Sequence, residues 1–110
     1  MNKMDKMLAE LGHPDLLIGT ECLRVGLEIY RPGMSMTKEL YPAIAKVMKS
    51  SPTRVERNMR HCIESAWLRG NTEAQLRFFG YTVDPQRGRP TVGEYVATMA
   101  RRLHEAESAG

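Results

Sequence analysis

The chain has 110 residues, of which 42% are hydrophobic and 26% charged, with a formal charge of +3. This composition fits one folded domain and excludes a disordered or low-complexity chain, while the small positive charge only hints at an anionic partner. No apolar run approaches the roughly 18 residues of a membrane-crossing helix, and the opening MNKMDKMLAELG mixes charges with apolar residues rather than forming a secretory signal, so a cytoplasmic protein without a membrane partner is expected.

Apolar residues recur near a period of 3.6 almost throughout, and strand-like alternation is absent, which predicts an all-α domain. A first helix, residues 3 to 11, carries Met4, Met7, Leu8 and Leu11 on one stripe and stops at Gly12. A second is expected from Pro14, whose fixed φ suits a first helical position, through Leu16, Leu17, Leu23, Leu27 and Tyr30. Cys22 within it and Cys62 further on read as two reduced, buried thiols rather than a disulfide or a metal site. After RPGMS, Thr37 is expected to cap a third helix reaching Lys49, with its regular part starting near Tyr41 because Pro42 lacks an amide hydrogen.

The fourth helix is the longest, residues 53 to 69, and Gly70 closes it. Asn71 can cap a short fifth through Phe79, and Gly80 closes that. YTVDPQRGRP follows as a loop. A last helix opens with Thr91 and Glu94 at capping-box spacing and buries Val92, Val96, Met99 and Leu103. The fold class is thus a six-helix, all-α domain spanning residues 1–110 as one unit.

The third and fourth helices have the spacing of a helix-turn-helix. Ala45 is small enough to let them approach, Met48 and Val55 fill the angle, Ser50 stands in the turn where glycine is common, and Ser51 or Thr53 caps the incoming helix. At about 100° per residue, Val55, Met59, Cys62, Ile63 and Ala66 form the inward stripe of the fourth helix, with Trp67 at its margin as a core anchor. Arg54, Arg57 and His61 lie opposite, with Arg60 beside them and Glu56 on the flank. Residues 46 to 70 hold Lys46, Lys49, Arg54, Arg57, Arg60 and Arg69 against only Glu56 and Glu64, whereas residues 1 to 36 are slightly acidic. Such focusing is the footprint of duplex binding, and a recognition helix presents its first two turns to base edges.

The runs LYPAIAKVMKSSPTRVERNMRHCIESAWLRGN, FFGYTV, RPT and EYVATMARRL resemble the C-terminal effector domain of the response regulator that initiates sporulation in endospore-forming bacteria. The resemblance covers nearly the whole chain, more loosely over the first two helices. It implies sequence-specific binding of double-stranded DNA by a bacterial transcription regulator, often as tandem copies. It also implies that Glu56, Arg57 and Arg60 touch bases while Ser51, Thr53 and Arg54 touch or flank phosphates. The chemistry suits those roles, since Arg can bond guanine in pairs and a carboxylate can accept from cytosine. Asn58 stands where relatives carry a small apolar residue, and the RPGMSM loop is shorter; because Asn can pair with adenine, Asn58 joins the base-contacting candidates. Lys49 and His61 join the phosphate-contacting set. The family's phosphorylated receiver domain is expected to be absent from residues 1–110.

Blander readings stand beside these. Glu56 has capping-box spacing from Thr53 and ion-pair spacing to Arg60, and His61 can be an exposed residue without a role. His13 and His104 read as surface residues, and the arginines of RGRP either reach a neighbouring backbone or serve solubility. The alternative function is a protein-interaction module docking on the sigma subunit of RNA polymerase or on a partner regulator. The family implies contact between adjacent copies through the last helix, hence a weak homodimer that strengthens on DNA. No Gly-rich phosphate loop, metal spacing or motif-placed carboxylate pair occurs, so no enzyme activity, metal or cofactor is expected.

Overall fold

The computed structural model describes residues 2–80 and 88–109; most of the YTVDPQRGRP loop, including Arg87, lies outside the described residues. Six α-helices follow in order: α1 Lys3–Glu10, α2 Ile18–Ile29, α3 Tyr41–Met48, α4 Pro52–Arg69, α5 Thr72–Phe79 and α6 Val92–Ala109. A π-helical turn, Met36–Leu40, runs directly into α3. Among the described residues there is no strand, and the all-α class stands.

Local chemistry explains most boundaries. Asn71 accepts from the amide of Ala74 at 3.2 Å to start α5, and Gly80 ends it at φ +56. Thr91 and Glu94 form the expected reciprocal box: the Thr91 amide donates to the Glu94 carboxylate at 2.8 Å, and the Glu94 amide to the Thr91 hydroxyl at 3.1 Å.

Three expectations need correction. The second helix begins at Ile18 rather than Pro14; Pro14 to Leu17 form a turn, and Leu16, Leu17 and Ile18 are 97%, 48% and 60% exposed. Ser35 rather than Thr37 caps the π turn that leads into the third helix: the Lys38 amide donates to the Ser35 hydroxyl at 3.1 Å, and the Ser35 amide to the Glu39 carboxylate at 2.9 Å. A π turn winds wider than an α turn, so the returning carboxylate sits four residues on instead of three. Pro42, unable to donate to the carbonyl four residues back, permits that wide turn. Thirdly, His13 is buried, not a surface residue.

The core is built around α4. Its Val55, Met59, Cys62, Ile63 and Ala66 are buried, facing Leu23 and Leu27 of α2, Ile44 and Ala45 of α3, and Tyr95, Val96 and Met99 of α6. Helix α2 crosses α4 closely at Gly19, where an added Cβ would stand 2.5 Å from the Asn58 carbonyl oxygen and 2.6 Å from the Cys62 Cβ. The acidic first third is knitted by Arg24, whose guanidinium bonds Asp5 at 2.8 Å, Asp15 at 2.9 Å and Glu21 at 2.5 Å. Buried against α2, α3 and α6 on one side, α4 must turn its opposite side outward.

Candidate nucleic-acid interface

The turn between α3 and α4 is three residues long, and its sharp bend falls at Lys49, whose φ of 54 and ψ of 49 are left-handed. The left-handed position is therefore Lys49 and not Ser50. The amide of Ser50 bonds the Ala45 carbonyl at 2.9 Å and closes α3. Ser51 then caps α4, its hydroxyl accepting from the Arg54 amide at 3.2 Å, and Pro52 occupies the first helical position. Of the two candidate caps, Ser51 fills the role and Thr53 is exposed on the first turn.

Arg54, Arg57, Arg60 and His61 are exposed along the outer side of α4, and Lys49 is exposed beside its start. Ser51, Glu56 and Asn58 are half-buried. Glu56 pairs with Arg60 at 3.6 Å, the spacing of one helical turn. Among the described residues no ion pair engages Arg54 or Arg57. Asn58 lies on the flank toward α2, its carbonyl against Gly19. The row thus combines Arg54 and Arg57, which no ion pair among the described residues engages, with the positive end of a helix dipole, a field that favours anions.

Trp67 anchors the other half of α4. Its ring meets Phe79 edge-on with centroids 5.4 Å apart and Tyr95 at 6.5 Å, and its indole nitrogen donates to the Gly88 carbonyl at 2.7 Å. One turn earlier, Glu64 bonds Arg89 at 3.0 Å. Sequence reasoning about α4 misses this pair, because the end of α4 and the whole of α5 separate the partners. Glu56, Arg60, Glu64 and Arg89 edge a cleft of about 540 Å³ that also meets Tyr41 and Pro90. Burial raises the Tyr41 phenol above its ordinary range, nearby Glu56 adds to this, and Arg60 opposes it.

Behind the interface His13 links three elements. Its Nε2 is 2.6 Å from the Tyr95 hydroxyl on α6 and its Nδ1 is 3.2 Å from the Cys62 sulfur on α4. Burial and, secondarily, Arg69 hold the imidazole down at about 4. Cys22 and Cys62 are buried free thiols, both pushed up chiefly by desolvation.

A helix pair joined by a short bend, the second helix seated in a helical core and carrying an outward cation row, defines the kind of small domain that transcription regulators use to meet DNA. The family model described as "Sporulation initiation factor Spo0A C terminal" matches residues 4–103, and the chain belongs to this family. The family is the DNA-binding effector domain of a transcription factor and not an enzyme family. Among the described residues no helix is long and apolar enough to cross a membrane.

Proposed function

We propose that this domain binds double-stranded DNA sequence-specifically, laying the first half of α4 in the major groove with α3 and α4 acting as a helix-turn-helix. The observation that carries this reading is the exposed row Arg54, Arg57 and His61, with Arg60 beside it, on the side of α4 away from the buried stripe. Arg57, with no acidic residue four positions before or after it, is the principal base reader, through paired bonds to a guanine. Arg60 reads a second base while Glu56 either steadies it or accepts from a cytosine, and Asn58 contacts the groove edge. Lys49, Ser51, Thr53, Arg54 and His61 fix register on the phosphates, carrying no sequence information themselves.

Recovery of bound sequences from random duplex DNA tests this directly. Arg57→Ala should cost about 1 to 3 kcal/mol on the recovered site and relax choice at one base pair. Equal losses on recovered and random duplexes would count against base reading.

Protein contacts accompany DNA binding in this proposal. Leu68 and Leu76, 87% and 58% exposed at the end of α4 and on α5, lie beyond the cation row and suit an apolar contact with the polymerase sigma subunit. Salt separates the two activities: DNA binding weakens steeply with added salt, and a mainly apolar contact does not.

A further inference from the structure

We propose that residues 88–90 form a second DNA-contacting element, in which Glu64 holds Arg89 ready for a backbone phosphate beside the bases that α4 reads. The inference rests on the DNA-binding reading above.

Arg89 is fixed from both sides. Before it, the Gly88 carbonyl is held by the Trp67 indole at 2.7 Å, with Gly88 itself at φ +88. After it, Pro90 is buried and Thr91 is locked into the capping box of α6. The Arg89 guanidinium meets Glu64 at 3.0 Å while its side chain remains 51% exposed. This short segment is therefore docked along α4, and the cation it carries is aimed by the recognition helix itself.

The direction of aim follows from helix geometry. Glu64 is seven residues beyond Arg57, so it projects within about 20° of the same line and roughly 10 Å further along the axis. A helix that enters the major groove by its first turns leaves it by its later ones, which then pass the sugar-phosphate wall. A lone carboxylate at that place would repel phosphate. Arg89 neutralises it and has donors to spare: a guanidinium carries five N–H groups, and a single bond to Glu64 leaves most of them outward. The pair thus converts a repulsive position into a phosphate clamp, with the carboxylate limiting the arginine to one geometry.

The test compares the wild-type chain with Arg89→Gln, Arg89→Lys, Glu64→Gln and Arg57→Ala, on a duplex recovered by the wild type from a random pool and on a scrambled duplex of equal length. Affinities are measured over a series of salt concentrations, and circular dichroism confirms that each variant is folded. Arg89→Gln should lower the slope of log affinity against log salt by about 0.9 and weaken both duplexes by a similar factor. Arg89→Lys should keep the slope, and Glu64→Gln should strengthen both duplexes severalfold. If Arg89→Gln retains the full wild-type slope, the clamp is refuted, even when affinity falls, because loosening of the segment alone moves affinity without removing a released counterion. Should that result accompany a normal loss of discrimination in Arg57→Ala, only the clamp fails. Absence of wild-type binding to either duplex at low salt would remove both readings together.

Discussion

Lys49 holds a backbone conformation that costs a side-chain-bearing residue about 1 kcal/mol or more, at the bend where a glycine would sit unstrained. A cation in that place is explained if it meets phosphate. Lys49→Gly should therefore leave stability unchanged or raise it by up to about 1 kcal/mol, yet weaken every duplex to the same degree. Lys49→Ala keeps the strain, so it should weaken DNA binding without the gain; thermal melts beside titrations read both. A second residue-level prediction concerns His13. Folded, its ring stays neutral down to about 4, whereas in the unfolded chain it takes a proton near 6.5. A depressed folded value means that the stabilising contribution is present above 6.5 and is lost as pH falls toward 4. The linkage is about 1.4 kcal/mol per pH unit across that window, roughly 3 kcal/mol in all. Burial is the main reason the ring resists the proton, and the cation of Arg69 adds to it; Asp5 and Asp15 share its cleft but are drawn to Arg24. Denaturant midpoints between pH 7 and 4.5 should flatten markedly in His13→Asn, and an equally steep fall there would assign the acid sensitivity elsewhere.

Helix α4 owes its placement to the close crossing by α2. Gly19→Ala adds a methyl where backbone of α4 already stands at 2.5 Å, so overpacking of about 1 to 3 kcal/mol should outweigh the better helix propensity of alanine. Leu16→Ser, one turn away on a fully exposed side chain, should change stability by less than about 0.5 kcal/mol. Chemical denaturation separates the two, and a neutral Gly19→Ala would mean that the helices can slide apart freely. The elements themselves are legible in the sequence wherever the signal is local: Gly12, Asn71, Gly80 and the Thr91–Glu94 box sit within a turn of the boundary they set. Failures occur where the decisive partner is distant or the turn is unusual. His13 reads as a surface residue because its partners lie 49 and 82 residues away. Ser35 is passed over because a π turn shifts the capping spacing by one, and Leu16 and Leu17 mimic a helical stripe that tertiary packing never uses. Of the candidate interface, the outward row of α4 is legible from the 3.6-residue period alone. The Glu64–Arg89 pair is not, since it depends on how the chain returns after α5.

At the level of the whole molecule the charges are segregated. Asp5, Asp15 and Glu21 gather around Arg24 and Glu10 pairs with Arg77, while the exposed Lys49, Arg54, Arg57 and Arg60 and the Glu64-paired Arg89 lie along α4. One copy placing Lys49, Arg54 and Arg89 on phosphates should show a salt slope of about −3. Two copies on tandem sites should approach twice that. A weak dimer contact that strengthens on DNA would require both copies to face the same side of the duplex, so their sites should recur at about 10 to 10.5 base pairs or a multiple. We therefore expect sedimentation to give a monomer mass at micromolar concentration, and binding to two phased sites to be cooperative. Inserting about 5 base pairs between the sites rotates one copy to the far side of the helix and should abolish cooperativity while leaving each site's own affinity intact. A second insertion of the same length restores the phase and should restore coupling. Cooperativity that ignores the spacing would mean that the copies communicate through deformation of the DNA or not at all, and that α6 makes no contact between them.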